Sequence, residues 1–236
     1  MALNTWNGAE TVTSGPCSNG GGIWVSPGGC YTTISDALTA LGSAPGIIIV
    51  PPGTWTTSTT LAMAANGQHI QCAGIGATII SYTGGPTTAI FDIGTSPTGD
   101  PGYSNISING CTISGNANVQ YAIRTRGVHH SDFSHNSLIN IITSGIQTLY
   151  GVALTLDDLH TSFNEQAFTV QPQSCIILDG PDRDHKTTTS TVKVPICEGV
   201  SGTGIVLNYT ADVRLINGTS EQNNRGMTIS TGSQNA

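Results

Sequence analysis

The second half of the chain repeats. Four segments open with a small residue and run into an apolar strand: Ala122-Ile123-Arg124-Thr125, Gly145-Ile146-Gln147-Thr148, Ala167-Phe168-Thr169-Val170 and Gly204-Ile205-Val206-Leu207. A fifth, Gly226-Met227-Thr228-Ile229, begins shortly before the last residue. Their starts lie 23, 22, 37 and 22 residues apart. One repeat of about 22 residues cannot close a core by itself, so each must bury its apolar face against its neighbours. The pattern therefore predicts an all-β solenoid. It also brings together residues that are far apart in sequence.

The 236 residues show no linker-like break, so one domain is expected, with an irregular lead-in over 1–30 and the repeating body over 31–236. Only 9% of residues are charged, against roughly 25% in ordinary soluble domains. Gly, Thr, Ser and Asn supply a surface of hydroxyls and amides. Net charge is −7 with seven Lys plus Arg, and no basic stripe is visible, which argues against a nucleic-acid partner. The longest aliphatic run, Ile47-Ile48-Ile49-Val50, is far short of the ~18 apolar residues of a membrane span. Met1 to Trp6 lack the basic and apolar regions of a signal peptide, so the expected setting is extracellular after removal of a leader, or the surface of a virion. The six cysteines contain no C-x-x-C pair, which disfavours a zinc knuckle or redox site. Cys17 and Cys30 flank a Gly-rich loop, and Cys175 and Cys197 fall within one long repeat. The even count suits an oxidising compartment, and thiols stacked in a core are the alternative.

Thr33 to Gly42 reads as a short amphipathic helix, with Thr33 or Ser35 as N-cap, Gly42 as its stop, and Ile34, Leu38 and Leu41 on one face. A buried strand follows at Ile47–Val50 and ends at Pro51-Pro52-Gly53. Further strands are predicted at 69–72, 78–81 and 89–92, separated by Gly or Pro turns. A short helix, then Ile47 to Trp55 (IIIVPPGTW), then a Gly74-Ile75-Gly76 turn, resembles the opening of the pectate-lyase-like right-handed parallel β-helix superfamily. That group includes pectate lyases, polygalacturonases and phage tailspike depolymerases. The motif match covers about residues 31–95. It implies a right-handed parallel β-helix with an N-terminal capping helix, and a polysaccharide partner. It does not fix a reaction, because function resides in sites rather than folds.

Counting each repeat from its small opening residue puts Ser131, Leu154, Ile176 and Val213 at position +9, and Phe133, Leu156, Leu178 and Leu215 at +11. These mostly apolar positions are expected to point inward. Position +12 holds Ser134, Asp157, Asp179 and Ile216, and +13 holds His135, Asp158, Gly180 and Asn217. Equivalent residues of a parallel stack lie ~4.8 Å apart. Asp157 and Asp179 are therefore expected as adjacent carboxylates, with Asp158 beside His135 and His160 two residues on. Such a pair raises one pKa or holds a cation. The long repeat carries its extra residues after Gly180, within an insertion over about 181–195 that begins Pro181-Asp182-Arg183-Asp184-His185-Lys186.

One corner is thus expected to gather acids, a histidine and two bases. Four readings remain open at this level. Asp157, Asp158, Asp179 and His135 can serve as acid and base for glycoside hydrolysis. Alternatively, Asp157, Asp179, Asp182 and Asp184 can hold Ca²⁺ while Arg183 or Lys186 acts as base for β-elimination of a uronate. The others are a solvated loop rich in turn formers and a Ca²⁺ site without catalysis. Polygalacturonases resemble this chain at Asp157-Asp158 only; their Gly-His-Gly and the pectate-lyase Arg-x-Pro segment are missing. Arg124 and Arg126, two apart on one strand, can line an anion-accepting face. No element comparable to the N-terminal helix follows the fifth segment, so continuation into a longer chain or docking of another subunit is expected at that end. The competing function is a non-catalytic stalk, adhesin or filament subunit.

Overall fold

The computed structural model describes residues 18–19, 22–26, 30–94, 96, 102–116, 118–162 and 171–230. The strands form three long parallel faces that follow one another around each coil. The first face stacks Gly22–Trp24, Gly46–Val50, Gln68–Cys72 and Ser107–Asn109, then passes through bridges at Asp132 to Thr155–Asp157, Thr191–Lys193 and Arg214–Ile216. The second runs from Gly53–Thr57 through Thr78–Tyr82, Thr112–Ser114, Asn136–Ile139, Leu159–Ser162 and Ile196–Glu198 to Thr219–Glu221. The third has the longest strands: Leu61–Met63, Thr87–Ile93, Val119–His129, Ser144–Val152, Ser174–Asp179, Thr203–Asn208 and Arg225–Ile229.

Inward columns form the core, because alternate side chains of every strand point into the coil. Ile48, Ile70, Ile108, Phe133, Leu156 and Val192 make one column, all buried. Phe91, Ile123, Ile146, Ile176 and Ile205 make another. Both columns become exposed at the last described coil, where Leu215 is 42% and Met227 46% accessible.

The corners explain much of the polar sequence. Between the first and second faces, each coil turns through one left-handed residue: Gly110, His135, Asp158, Val194 and Asn217, with φ from 46 to 76°. Asn105, His130, Ala153, Thr189 and Asp212 do the same between the third and first faces. Asn, Asp, His and Gly tolerate this region best, so part of the Asn and Asp content is corner chemistry.

The helix Ile34–Leu41 forms as expected. Thr33 is its N-cap, its hydroxyl accepting from the Asp36 N–H at 3.0 Å, and Gly42 ends it at φ 54°. Ile34, Ala37 and Leu38 are buried in the main core and cover the first coil. Cys72–Cys111 and Cys175–Cys197 are disulfides that clip successive coils. Cys30 is also disulfide-bonded; Cys17, across the same Gly-rich loop, falls outside the described residues.

One register differs from the sequence expectation. The third segment, Ala167 to Val170, lies outside the described residues, and the strand in register with Ile146 is Ser174–Asp179, through Ile176. The aligned residues Ile123, Ile146, Ile176, Ile205 and Met227 are therefore spaced 23, 30, 29 and 22 apart. The extra length divides between residues ahead of Ser174 and the loop at 181–186, rather than forming one insertion over 181–195. Residues 191–193 are an ordinary first-face strand.

Candidate functional site

The register decides which predicted residues meet. Asp157 pairs with Lys193, not Asp179: their Cα atoms are in register, and Lys193 Nζ lies 2.7 Å from Asp157 Oδ2. Asp179 is on the third face, in register with Leu149 and Asn208. The expected Asp157–Asp179 carboxylate pair does not form, because Ile176 and Leu178 belong to a third-face strand instead of the first face.

His135 and Asp158 do meet at the first-to-second corner. His135 Nδ1 is 3.0 Å from Asp158 Oδ2, and His160 Nε2 is 2.8 Å from Asp158 Oδ1. The His135 hydrogen bond, aided by His160, holds the Asp158 carboxyl below its usual range despite some desolvation. The His135 side chain is 63% exposed, and all three groups decorate an open edge.

The insertion loop is occupied with itself. Asp182 accepts from the backbone N–H groups of Asp184 and His185 and contacts His185 Nδ1 at 2.9 Å. This set, led by the His185 contact, lowers the Asp182 pKa. Arg183 and Asp184 are exposed, and Lys186 is partly buried. Gly180 is needed at the loop's base, where a Cβ would meet the carbonyl oxygens of His185 and Tyr209 at 2.5 and 2.8 Å. Tyr150 sits edge-on between His129 and His185, with ring centroids 5.6 and 5.3 Å away, so the loop is seated on the third face.

A Ca²⁺ shell takes six to eight oxygens. Asp157 is held by Lys193, Asp179 is on another face, and Asp182 is capped by its own loop, so this set does not fit the ion. Among the described residues, no group of three or more His, Cys, Asp or Glu side chains is placed to hold a metal ion.

The third face carries a polar strip, interrupted by Leu149, Ile177 and Val206. Asp92, Arg124 and Gln147 stand in one row, with Arg126, Leu149, Asp179 and Asn208 in the next. Arg124 forks onto Asp92 through Nε at 3.1 Å and Nη2 at 2.7 Å, and Arg126 Nη2 adds a contact at 3.0 Å. All three side chains are only 19–25% exposed. Asn208 donates to Asp179 at 2.7 Å and accepts from the Ser230 hydroxyl at 2.6 Å. Desolvation raises the Asp179 pKa, outweighing the hydrogen bonds from Asn208 and the Gly180 N–H. Tyr121 is hydrogen-bonded to Gln147, and its pKa is raised chiefly by burial.

Of these, the sequence pointed only to Arg124, Arg126 and Asp179. Asp92, Tyr121, Gln147 and Asn208 needed the register. A signal was present: Ser144-Gly145-Ile146, Ser174-Cys175-Ile176 and Thr203-Gly204-Ile205 share a hydroxyl residue before the small one, whereas Ala167 has Gln166 before it.

Known structures reproduce this architecture. ORF18 of Geobacillus virus E2 aligns with TM-score 0.57 at 12% identity over 78% of this chain, which spans 38% of the length of that protein. The fold is a right-handed parallel β-helix. A second β-helix, from Parabacteroides merdae and assigned as a glycosyl hydrolase, aligns with TM-score 0.56 at 12% identity over 79% of this chain and 84% of its own. No family model matches the chain, and no curated protein matches it in sequence.

Proposed function

We propose that this β-helix binds a polysaccharide along its third face, in an extracellular or virion-borne setting. The observation that carries the reading is the strip of partly buried polar side chains from Asp92 through Tyr121, Arg124, Arg126 and Gln147 to Asp179 and Asn208, edged by the 181–186 loop. Its groups recur every ~4.8 Å along the coil axis, close to the advance of an extended sugar chain. Amides, a phenol and guanidinium forks are the donors that hydroxyl- and carboxylate-bearing rings require. A rigid sheet holds them in place before the ligand arrives, which lowers the ordering cost of binding. The glycosyl-hydrolase assignment of the Parabacteroides protein and the viral source of ORF18 agree with this reading.

Cleavage is a second reading, favoured by the raised pKa of Asp179, which suits a proton donor. Paired-carboxylate hydrolysis needs its acids roughly 5–9.5 Å apart. Asp92, the other acid of the strip, lies three coils from Asp179, about 14 Å by the coil spacing, and is held by two arginines. Within the strip itself, cleavage would therefore centre on Asp179, with Asp182 and Asp184 of the bordering loop as the nearest other acids in sequence.

Affinity electrophoresis against uronate-containing and neutral polysaccharides tests binding. Retardation that is lost in Arg124→Ala/Gln147→Ala supports it. Equal mobility of wild type and variant in every polysaccharide refutes it. Reducing-end and unsaturated-end assays on wild type and Asp179→Asn decide cleavage.

A further inference from the structure

We infer that the first face carries a second, separate site: a Ser107–His69 dyad that hydrolyses small acyl esters on a large hydroxyl-bearing molecule. His69 and Ser107 are in register on adjacent coils, and Gln71 and Asn109 form the next pair along the same two strands. Ile70 and Ile108 between them are fully buried, so strand alternation turns all four side chains outward. His69 Nδ1 lies 2.8 Å from Ser107 Oγ. A nucleophile and base within hydrogen-bond reach are the signature of covalent catalysis.

The local environment suits the two roles. Burial lowers the His69 pKa, which favours the neutral imidazole that a general base must be. In the tautomer protonated at Nε2, the Ser107 hydroxyl donates to Nδ1. The backbone N–H of Ser134 donates to Asn109 Oδ1 at 2.9 Å, which orients that amide and leaves its Nδ2 without a partner among the described residues. Gln71 Nε2 donates to Cys72 O at 3.1 Å and keeps a second N–H. These two amides stand one outward step, about 6.6 Å, from the dyad. A carbonyl lying between the rows would have Ser107 at its carbon and amide donors at its oxygen, the arrangement that stabilises an oxyanion. Asp132, the next residue along the His69–Ser107 row, has its carboxylate engaged by the Ser134 hydroxyl.

Two surface cavities, of about 470 and 550 Å³, are lined by residues 189–191 and 212–214 and by residues around Ser43, Asn66 and Tyr103, and neither includes the dyad. Beside the dyad on the same face stand Ile47, in register with His69 and 39% exposed, and Ile49, in register with Gln71, an apolar ledge that suits a short acyl group. In the reaction, Ser107 Oγ bonds to the acyl carbon as its proton passes to His69 Nδ1. The carbonyl π pair moves onto oxygen. Collapse breaks the ester C–O bond, and the departing alkoxide takes the proton from Nδ1. Water then attacks the acyl-serine by the same route, giving the carboxylic acid and restoring Ser107. Water is the sole co-reactant.

Acetate release from an O-acetylated polysaccharide, with p-nitrophenyl acetate in parallel, tests the site in wild type, Ser107→Ala, His69→Ala and Asn109→Ala. A general base contributes about 10²–10⁴-fold, so His69→Ala is expected to lose at least 100-fold, and Ser107→Ala to fall to the uncatalysed rate. A fluorophosphonate should label Ser107 once in wild type, by mass spectrometry, and not in His69→Ala. Rates within twofold across wild type, Ser107→Ala and His69→Ala, or no label at Ser107, would overturn the inference.

Discussion

Replacing Asp92 with Asn separates the structural and binding roles of the third face, because the two should respond in opposite directions. The Asp92 carboxylate accepts three guanidinium contacts at 2.7–3.1 Å, and the three side chains are 19–25% exposed. Exposed ion pairs contribute about 0.2–1 kcal/mol. Truncating one partner of a fully buried pair costs about 3–5 kcal/mol. This cluster lies between those limits, so a loss of about 2 kcal/mol is expected. For a domain of this size that lowers Tm by about 4–8 °C, read by thermal melts at low salt. The same change leaves Arg124 and Arg126 uncompensated. One added unit charge at about 4 Å in a water-like medium is worth about 1 kcal/mol, so a uronate polysaccharide should bind about fivefold tighter. Neutral polysaccharide should not gain. A Tm within 1 °C of wild type would refute the energetic reasoning, and weaker uronate binding by a folded variant would refute the placement of the ligand on this face.

Three further outcomes are expected. The Asp179 carboxyl titrates above its ordinary 3.8 in the fold, so the native state binds the extra proton between those values and stability falls as pH rises through that window; Asp179→Asn should raise Tm at pH 7 and leave it unchanged near pH 3. Asp158 has the opposite sign: its folded pKa is depressed, so its contribution is present above 3.8 and is lost as pH falls through the folded value. Asp158→Asn should therefore cost up to about 1 kcal/mol at pH 7, a gap that urea titrations at acid pH should see close. Finally, Cys175→Ser/Cys197→Ser opens a 22-residue closure worth about 3.4 kcal/mol by chain entropy; a denaturation midpoint equal to that of the wild type would contradict that entropic contribution.

Much of the fold was legible in the sequence because its determinants are local. The helix Ile34–Leu41 announces itself by the Thr33 cap, the Gly42 stop and one apolar face. The Pro51-Pro52-Gly53 break and the recurrent small-residue-plus-Ile openings mark corners and strands. His135 beside Asp158 also followed from counting, since both are left-handed residues of successive corners. The Asp157–Asp179 pairing failed for a physical reason. Period alone cannot place a coil that carries extra residues at two points, and choosing Ala167 over Cys175 moved Asp179 from one face to another. Strand alternation has period two, but three faces share each coil, so an apolar match at position +11 was satisfied by Leu178 on the wrong face. Asp92, Gln147 and Asn208 were invisible for the same reason: each acquires meaning only from its neighbours in adjacent coils. The His69–Ser107 contact joins residues 38 apart, across a coil of irregular length.

Hydrogen exchange with and without a bound polysaccharide tests the central claim, that the third face is the binding surface, most directly. The account predicts added protection in Val119–His129, Ser144–Val152 and Ser174–Asp179, with the His135–Asp158 corner unchanged. Protection confined to that corner, or to the first face, would contradict it.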